Sequence, residues 1–306
     1  MSAGRETVAV VLVTHNRVDL LQRGLDGLAA QTHRPDAVYV VDNGSTDRTP
    51  ELLRERVQVG DLPLHVVRQE NLGGSGGFHR GVREAYDAGH DRVWLIDDDV
   101  VPAPDCLEVL MAVDADCLIA VREDLSGALV EKAAVDFDLR NPLAIRPKRS
   151  TVDSVYPDRG SMPELVEVEN VAFEGFLVRR DVVAQIGFPD PSFFIFFDDA
   201  EYAVRARRAG RRIWAVRDAV LVRQLDFNQQ HDLSGWKGFY MYRNLFVVHL
   251  RHGENALVRL KPWLITLGVV LLSPVRGGRA EARNVIRAMA SARGMRRLSA
   301  SALPPR

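Results

Sequence analysis

The sequence predicts an α/β fold built on an open, mostly parallel sheet. Three observations carry that expectation. Continuous β-branched runs such as Val8–Val13 (VAVVLV) read as strands buried on both faces. Segments with apolar residues at helical spacing follow them across short connections, the signature of strand–helix–strand units. Polar residues gather where the strands end, in VLVTHNR, VVDNGS, RQENLGG and LIDDDV. Ligands of such sheets bind outside the carboxyl ends of the strands, so these four ends are expected to share one rim.

Taken in order, Val8–Val13 is followed by Leu20, Leu21, Leu25 and Leu28, a helix that reaches Gln31. Val38–Val41 is a second strand, closed by Asp42-Asn43-Gly44-Ser45. Asp47 or Thr49 starts the next helix, with Pro50 tolerated in its first turn. Leu64–Val67 is a third strand, Gly77–Ala88 a helix and Arg92–Ile96 a fourth strand. Farther on, Asp198-Asp199-Ala200-Glu201 opens a helix that ends near Gly210, with Asp198 and Glu201 at the spacing of a capping box. A catalytic domain is expected over 1–230 and a helical, basic C-terminal region over 231–306.

The 306 residues are 46% hydrophobic and 26% charged, with a net charge of -1, which is ordinary for a globular protein and gives no ground for bulk nucleic-acid binding. Cys106 and Cys117 are too few for a disulfide framework or a cysteine zinc site and suit a reducing cytoplasm. The N-terminus lacks the apolar stretch of a signal peptide, and no apolar run reaches the roughly 18 residues of a membrane span. From Arg251 onward Arg and Lys recur around the apolar segment Pro262–Pro274. Such a segment is too short to cross a bilayer comfortably but suits its surface; the bland alternative is a core helix followed by a solvated tail.

The stretch VWLIDDDV runs four apolar residues into Asp97, Asp98 and Asp99. Adjacent carboxylates repel unless a cation or hydrogen bonds compensate. At a strand end of this sheet a hard divalent ion, Mn²⁺ or Mg²⁺, shared with a substrate phosphate explains the cluster better than an acidic turn in water. The glycine-rich stretch from Asn71 to Gly81 is no dinucleotide fingerprint, because His79 stands where the third glycine belongs and the segment follows the third strand. Its four glycines before a helix allow close approach to a diphosphate, with Arg80 one turn inside. Asp97-x-Asp99 also matches the nucleophile motif of haloacid-dehalogenase-type phosphatases, but that motif follows the first strand of its domain. Asp199, in a first helical turn, stays ionised and suits a general base, with Phe196 and Phe197 available to wall an acceptor pocket.

At these residues the chain resembles the glycosyltransferase family 2 enzymes of GT-A fold: VTHNR ending at Arg17, Asp42 in VVDNGSTD, the LIDDDV aspartates and DDAE at Asp198–Glu201. NLGGSGGFHRG, together with DDD and DDAEY, is similar to the actinobacterial galactofuranosyltransferases of cell-wall galactan synthesis. The resemblance implies that Asp42 and Asn43 contact the uracil or ribose of a UDP-sugar donor, with Thr14, Asn16 and Arg17 lining the nucleotide pocket. It places Asn71, Gly73, Gly74 and Arg80 on the diphosphate side and adds Asp98, Asp198 and Glu201 to the donor-binding set. Asp97 and Asp99 would bind Mn²⁺ or Mg²⁺, Asp199 would be the base, and Phe173 and Glu174 would lie near the sugar or acceptor. Members commonly add a metal-ligating His after the last strand of the domain, where this chain reads AVLVRQ with Arg223. His231 or His249 would then reach in, or carboxylates, diphosphate and water suffice, with Arg223 replacing part of the metal's charge.

The implied activity is inverting transfer of galactofuranose from UDP-galactofuranose to a polyprenyl-diphosphate-linked rhamnosyl-GlcNAc acceptor, by a protein peripheral on the inner face of the plasma membrane. The alternatives are a rhamnosyltransferase using a dTDP-sugar and a non-catalytic sugar-nucleotide-binding protein.

Overall fold

The computed structural model describes residues 5–144, 146–225, 233–275 and 278–304. In the first half, β1 (Val8–Thr14), α1 (Val18–Ala29), β2 (Ala37–Asp42), α2 (Thr49–Val59), β3 (Leu64–Arg68), α3 (Gly73–Asp87) and β4 (Arg92–Asp97) alternate as the periodicity predicts. The chain continues through β5 (Val100–Pro102), α4 (Cys106–Ala112), β6 (Cys117–Glu123), the hairpin β7 (Ala134–Phe137) and β8 (Lys148–Thr151), and α5 (Val152–Val155). Next come β9 (Leu165–Val168), β10 (Phe176–Arg179), α6 (Arg180–Ile186), α7 (Asp198–Arg208) and β11 (Ile213–Arg223). Three helices close the chain: α8 (Trp236–His252), α9 (Ala256–Leu272) and α10 (Gly278–Gly294).

The main sheet has the order β3-β2-β1-β4-β10-β6-β11-β5, with β9 also paired to β11. β1 runs parallel to β2 and β4, β2 to β3, and β6 to β11. β10 is inserted antiparallel between β4 and β6. The register sets Thr14 opposite Asp42 and Val13 opposite Asp97, so the polar strand ends do form one rim.

Alternation along β1 feeds two cores. Val10 and Leu12 pack with Leu21, Leu25 and Leu28 on one face, and Val11 and Val13 with Phe78, Val82 and Ala85 on the other. The second packing explains the glycines. They were expected as a turn before a helix starting at Gly77, but α3 already begins at Gly73 and contains them. A Cβ at Gly77 or Gly81 would lie 2.4 or 2.3 Å from a methyl of Val13 or Val11, so these glycines let α3 press against β1. A third core joins α8 and α10 to Phe193, Ala200 and Val204 around α7.

Candidate active site

β4 delivers Asp97 as its last residue, and the turn after it carries Asp98 and Asp99. Asp98 is buried and fully engaged: the Thr14 hydroxyl donates to one oxygen at 2.8 Å and Arg17 Nη1 to the other at 2.8 Å. That fixes the turn so that Asp97 and Asp99 line a cavity of about 560 Å³. Glu174, two residues before β10, brings a third carboxylate, and one oxygen from each of Asp97, Asp99 and Glu174 lies within 4.8 Å of the others. Behind them Arg122, fully buried near the end of β6, grips Glu131 through two hydrogen bonds of 2.9 Å and reaches Glu174 Oε2 at 2.5 Å. Arg223 Nη2 stands 4.0 Å from Asp99 Oδ2 and 3.8 Å from Glu174 Oε1.

The electrostatics follow from crowding in a dry place. Burial first, and then Asp99, Asp98 and Glu174, push the Asp97 carboxyl well above the ordinary range. Burial and Glu174 raise Asp99 to about 6. Burial would raise Glu174 as well, but Arg122 and Arg223 outweigh it and hold this carboxyl low. Among the described residues Asp99 Oδ1 is buried without a hydrogen-bond partner, a costly arrangement that a ligand would relieve. An all-oxygen donor set with such an oxygen fits a hard divalent ion, Mn²⁺ or Mg²⁺. The third carboxylate is Glu174; His249 does not reach in. It is fully buried in α8, bonded through Nδ1 to the Leu245 carbonyl at 3.0 Å, and burial followed by Lys261 lowers it to about 4. His231 lies outside the described residues.

Asp198 and Asp199 line the same cavity from the start of α7. They are delivered by a loop in which Phe194, Phe196 and Phe197 have φ of 66°, 66° and 64°. Left-handed backbone at non-glycine residues costs on the order of 1–3 kcal/mol each and persists only where its surroundings enforce it. Helix α8 enforces it here. The buried Asn244 amide lies 3.0, 2.7 and 2.9 Å from the carbonyls of Phe193, Ile195 and Phe196, to which it donates. Arg243 donates to those of Ser192 and Phe193 at 2.9 and 2.6 Å. From the other side α3 approaches so closely that a Cβ at Gly73, itself at φ +73°, would fall 2.0 Å from the Phe194 oxygen.

The capping box expected of Asp198 and Glu201 does not form. The residue preceding the helix is Phe197 in left-handed conformation, and Glu201 turns inward to Arg205 at 2.9 Å, His252 at 3.0 Å and Arg251 at 3.4 Å. Burial, then Asp199, raises Asp198 to about 8. Burial also raises Asp199, with Lys148 and the Ala200 amide, which donates to its Oδ1 at 2.6 Å, pulling the other way.

Among the residues singled out in the sequence, Arg17, Gly74, Asp97, Asp99, Phe173, Glu174, Phe196, Asp198, Asp199 and Arg223 meet at this cavity. Others brace the rim. Asp42 Oδ1 accepts from the Ser45 amide at 2.8 Å; Asn43 donates to the Gly73 carbonyl at 2.9 Å and accepts from Gln69 at 2.6 Å. Asn71 Oδ1 accepts from the Gly73 amide at 2.9 Å, and Asn16, at φ 53°, accepts from the Thr46 amide at 2.7 Å. Arg80 is spent on Glu84, 2.6 Å away along α3. Sequence reasoning missed Arg122, Glu131, Lys148, Trp236, Lys237 and Asn244. Arg122 had a signal, since it follows an apolar strand run as Asp97 does; Asn244, in the middle of a helix, had none.

The model of glycosyl transferase family 2 matches residues 9–121. The galactofuranosyltransferase GlfT1 of Mycobacterium tuberculosis is 32% identical over 273 residues, which cover 85% of this chain and 87% of that protein. An N-acetylglucosaminyl-diphospho-decaprenol L-rhamnosyltransferase of the same organism is 28% identical over 241 residues, 67% of this chain and 72% of that one. Among solved structures, the mannosyltransferase PcManGT of Pyrobaculum calidifontis in complex with GDP-Man and Mn²⁺ matches with a TM-score of 0.57 at 17% identity, over 96% of this chain and 88% of that one. The structural likeness shows the GT-A fold, and the sequence likeness shows the family: the chain belongs to glycosyltransferase family 2.

Proposed function

We propose that this glycosyltransferase transfers galactofuranose, with inversion, from UDP-galactofuranose to a hydroxyl of a polyprenyl-diphosphate-linked rhamnosyl-GlcNAc glycan. The observation that carries the reading is the meeting of two acid groups in one cavity, Asp97, Asp99 and Glu174 on one side and Asp198 and Asp199 on the other. An ion held by the first group would act as a Lewis acid on the diphosphate leaving group, so that no general acid is required. Arg17 and Arg223 flank that group and oppose the charge that develops on the departing UDP. Asp199 accepts the proton of the acceptor hydroxyl. The acceptor oxygen bonds to the anomeric carbon on the face opposite the diphosphate as the bond to the diphosphate oxygen breaks.

The donor sugar rests on likeness to GlfT1. Likeness to the rhamnosyltransferase supports a second reading, rhamnose from a dTDP donor. Incubation with UDP- and dTDP-sugars, with and without lipid-linked acceptor and with Mn²⁺ or EDTA, separates them. Acceptor-dependent release of UDP from UDP-galactofuranose is expected. Release of dTDP instead selects the second reading, and release of neither with any donor rejects both.

A lipid-linked acceptor also gives a purpose to α9, where Leu257, Leu260, Leu264, Leu267 and Leu271 are exposed at three- and four-residue spacing on one face. Exposed Arg279 and Arg283 follow on α10. No helix among the described residues is long and apolar enough to cross a membrane. This region, 231–306, serves as a peripheral attachment to an anionic membrane face, beside the catalytic region 1–230. Two buried free cysteines suit the reducing, cytoplasmic side.

A further inference from the structure

The cavity has a wall that the donor chemistry leaves unused. Trp236, the first residue of α8, lines it with 59% of its surface exposed. Large aromatic rings usually bury most of their surface, so an open indole beside a catalytic carboxylate is informative. The ring is nevertheless braced. It meets Phe194 and Tyr240 edge-on, with centroids 6.5 and 6.0 Å away, and Phe194 stacks on Tyr240 at 5.0 Å. Phe194 belongs to the strained loop that delivers Asp198 and Asp199, so one backbone segment supports both the ring and the base. Lys237 lines the cavity next to it, its Nζ 5.8 Å from the indole centroid.

We propose that Trp236 is the stacking platform for the terminal sugar of the acceptor, with Lys237 donating to a hydroxyl or phosphate oxygen of the same acceptor. The inference rests on the glycosyltransferase reading above and extends it to a specific subsite. The C–H face of a sugar ring is apolar and weakly positive, which complements the electron-rich face of an indole. A rigid ring gives that contact at little cost in conformational freedom, while a few polar groups around it fix orientation. Contact with the cavity distinguishes Trp236 from the exposed leucines of α9, which do not line it.

The test uses the full chain with a water-soluble rhamnosyl-GlcNAc glycoside as acceptor, and Trp236→Ala, Trp236→Phe and Lys237→Met variants. Trp236→Ala is expected to raise the acceptor KM about tenfold or more and leave UDP affinity unchanged. Trp236→Phe should recover most of the loss, and Lys237→Met should raise the same KM by a smaller factor. Saturation-transfer NMR should show glycoside binding to the wild type and its loss in Trp236→Ala, a readout that needs no turnover. An acceptor KM within about twofold of wild type overturns the assignment. So does an equal loss of UDP affinity, which makes the ring part of the donor site, or a loss of vesicle binding alone, which makes it part of the membrane face. If the wild type turns over no sugar nucleotide, the functional reading fails, while the NMR comparison still decides the role of Trp236.

Discussion

Asp198 and Asp199 are adjacent and equally acidic by composition, but their surroundings differ. Asp198, raised to about 8 by burial and its neighbour, carries its proton near neutrality, so Asn can replace it with little change. With Asp199 as the proposed proton acceptor, Asp199→Asn should lower kcat by about 10²–10⁴ with UDP binding retained; the reverse order of severity, read in steady-state kinetics, would show the roles exchanged. In the proposed role the carboxylate works deprotonated, and burial raises Asp199, so kcat/KM should fall with acid at a higher pH than an ordinary carboxylate dictates. Lys148 opposes that shift, so Lys148→Met should move the acid limb of the profile to still higher pH and leave the alkaline plateau in place. Asp99→Asn should weaken Mn²⁺ binding, measured by electron paramagnetic resonance, and slow transfer by on the order of 100-fold; unchanged Mn²⁺ affinity would remove Asp99 from the metal site. These aspartates were legible in the sequence because like charges at the end of a buried strand need a partner. Glu131 and Asn244 were not, because Glu131 acts through Arg122 and Asn244 through backbone carbonyls of the distant loop before α7.

Strands β1, β2 and β4 could be read from sequence because parallel strands covered on both faces spell themselves as apolar runs. β9 and β10, four residues each and paired antiparallel, carry too little pattern to announce themselves. The start of α3 was misread because glycine is a poor helix former, a preference overridden here by close packing on β1. Gly77→Ala should accordingly destabilise the fold by roughly 1–3 kcal/mol in denaturant titration, since the new methyl meets Val13. The loop at Phe193–Phe197 is clamped on its α8 side by Arg243 and Asn244, and this too is testable. Asn244→Ala should cost about 1–3 kcal/mol of stability by freeing buried carbonyls, and should lower kcat more than it weakens UDP binding. A variant with full turnover would show that the loop keeps its shape without the clamp.

For the whole molecule, the helical C-terminal region shares a core with α7, so the exposed leucines of α9 and the carboxyl of Asp199 belong to one packed unit. If α9 and the arginines of α10 meet anionic lipid, each basic residue near the surface contributes roughly 1 kcal/mol, weakened by salt. Arg279→Glu with Arg283→Glu, or Leu264→Glu with Leu271→Glu, should reduce sedimentation with anionic vesicles, while turnover of a short soluble acceptor changes little. A wild type that ignores such vesicles at low salt would leave α9 without that role. Gly73 has a wider consequence. Its missing side chain is where α3 touches the loop carrying Asp198 and Asp199, so the two walls of the cavity are fixed against each other. A lineage that gained even a methyl at 73 would have to rebuild residues 193–197 in the same step. At Gly74 an added Cβ meets open space at the cavity wall. A side chain is therefore expected to be tolerated at position 74, one residue away from a position that takes none.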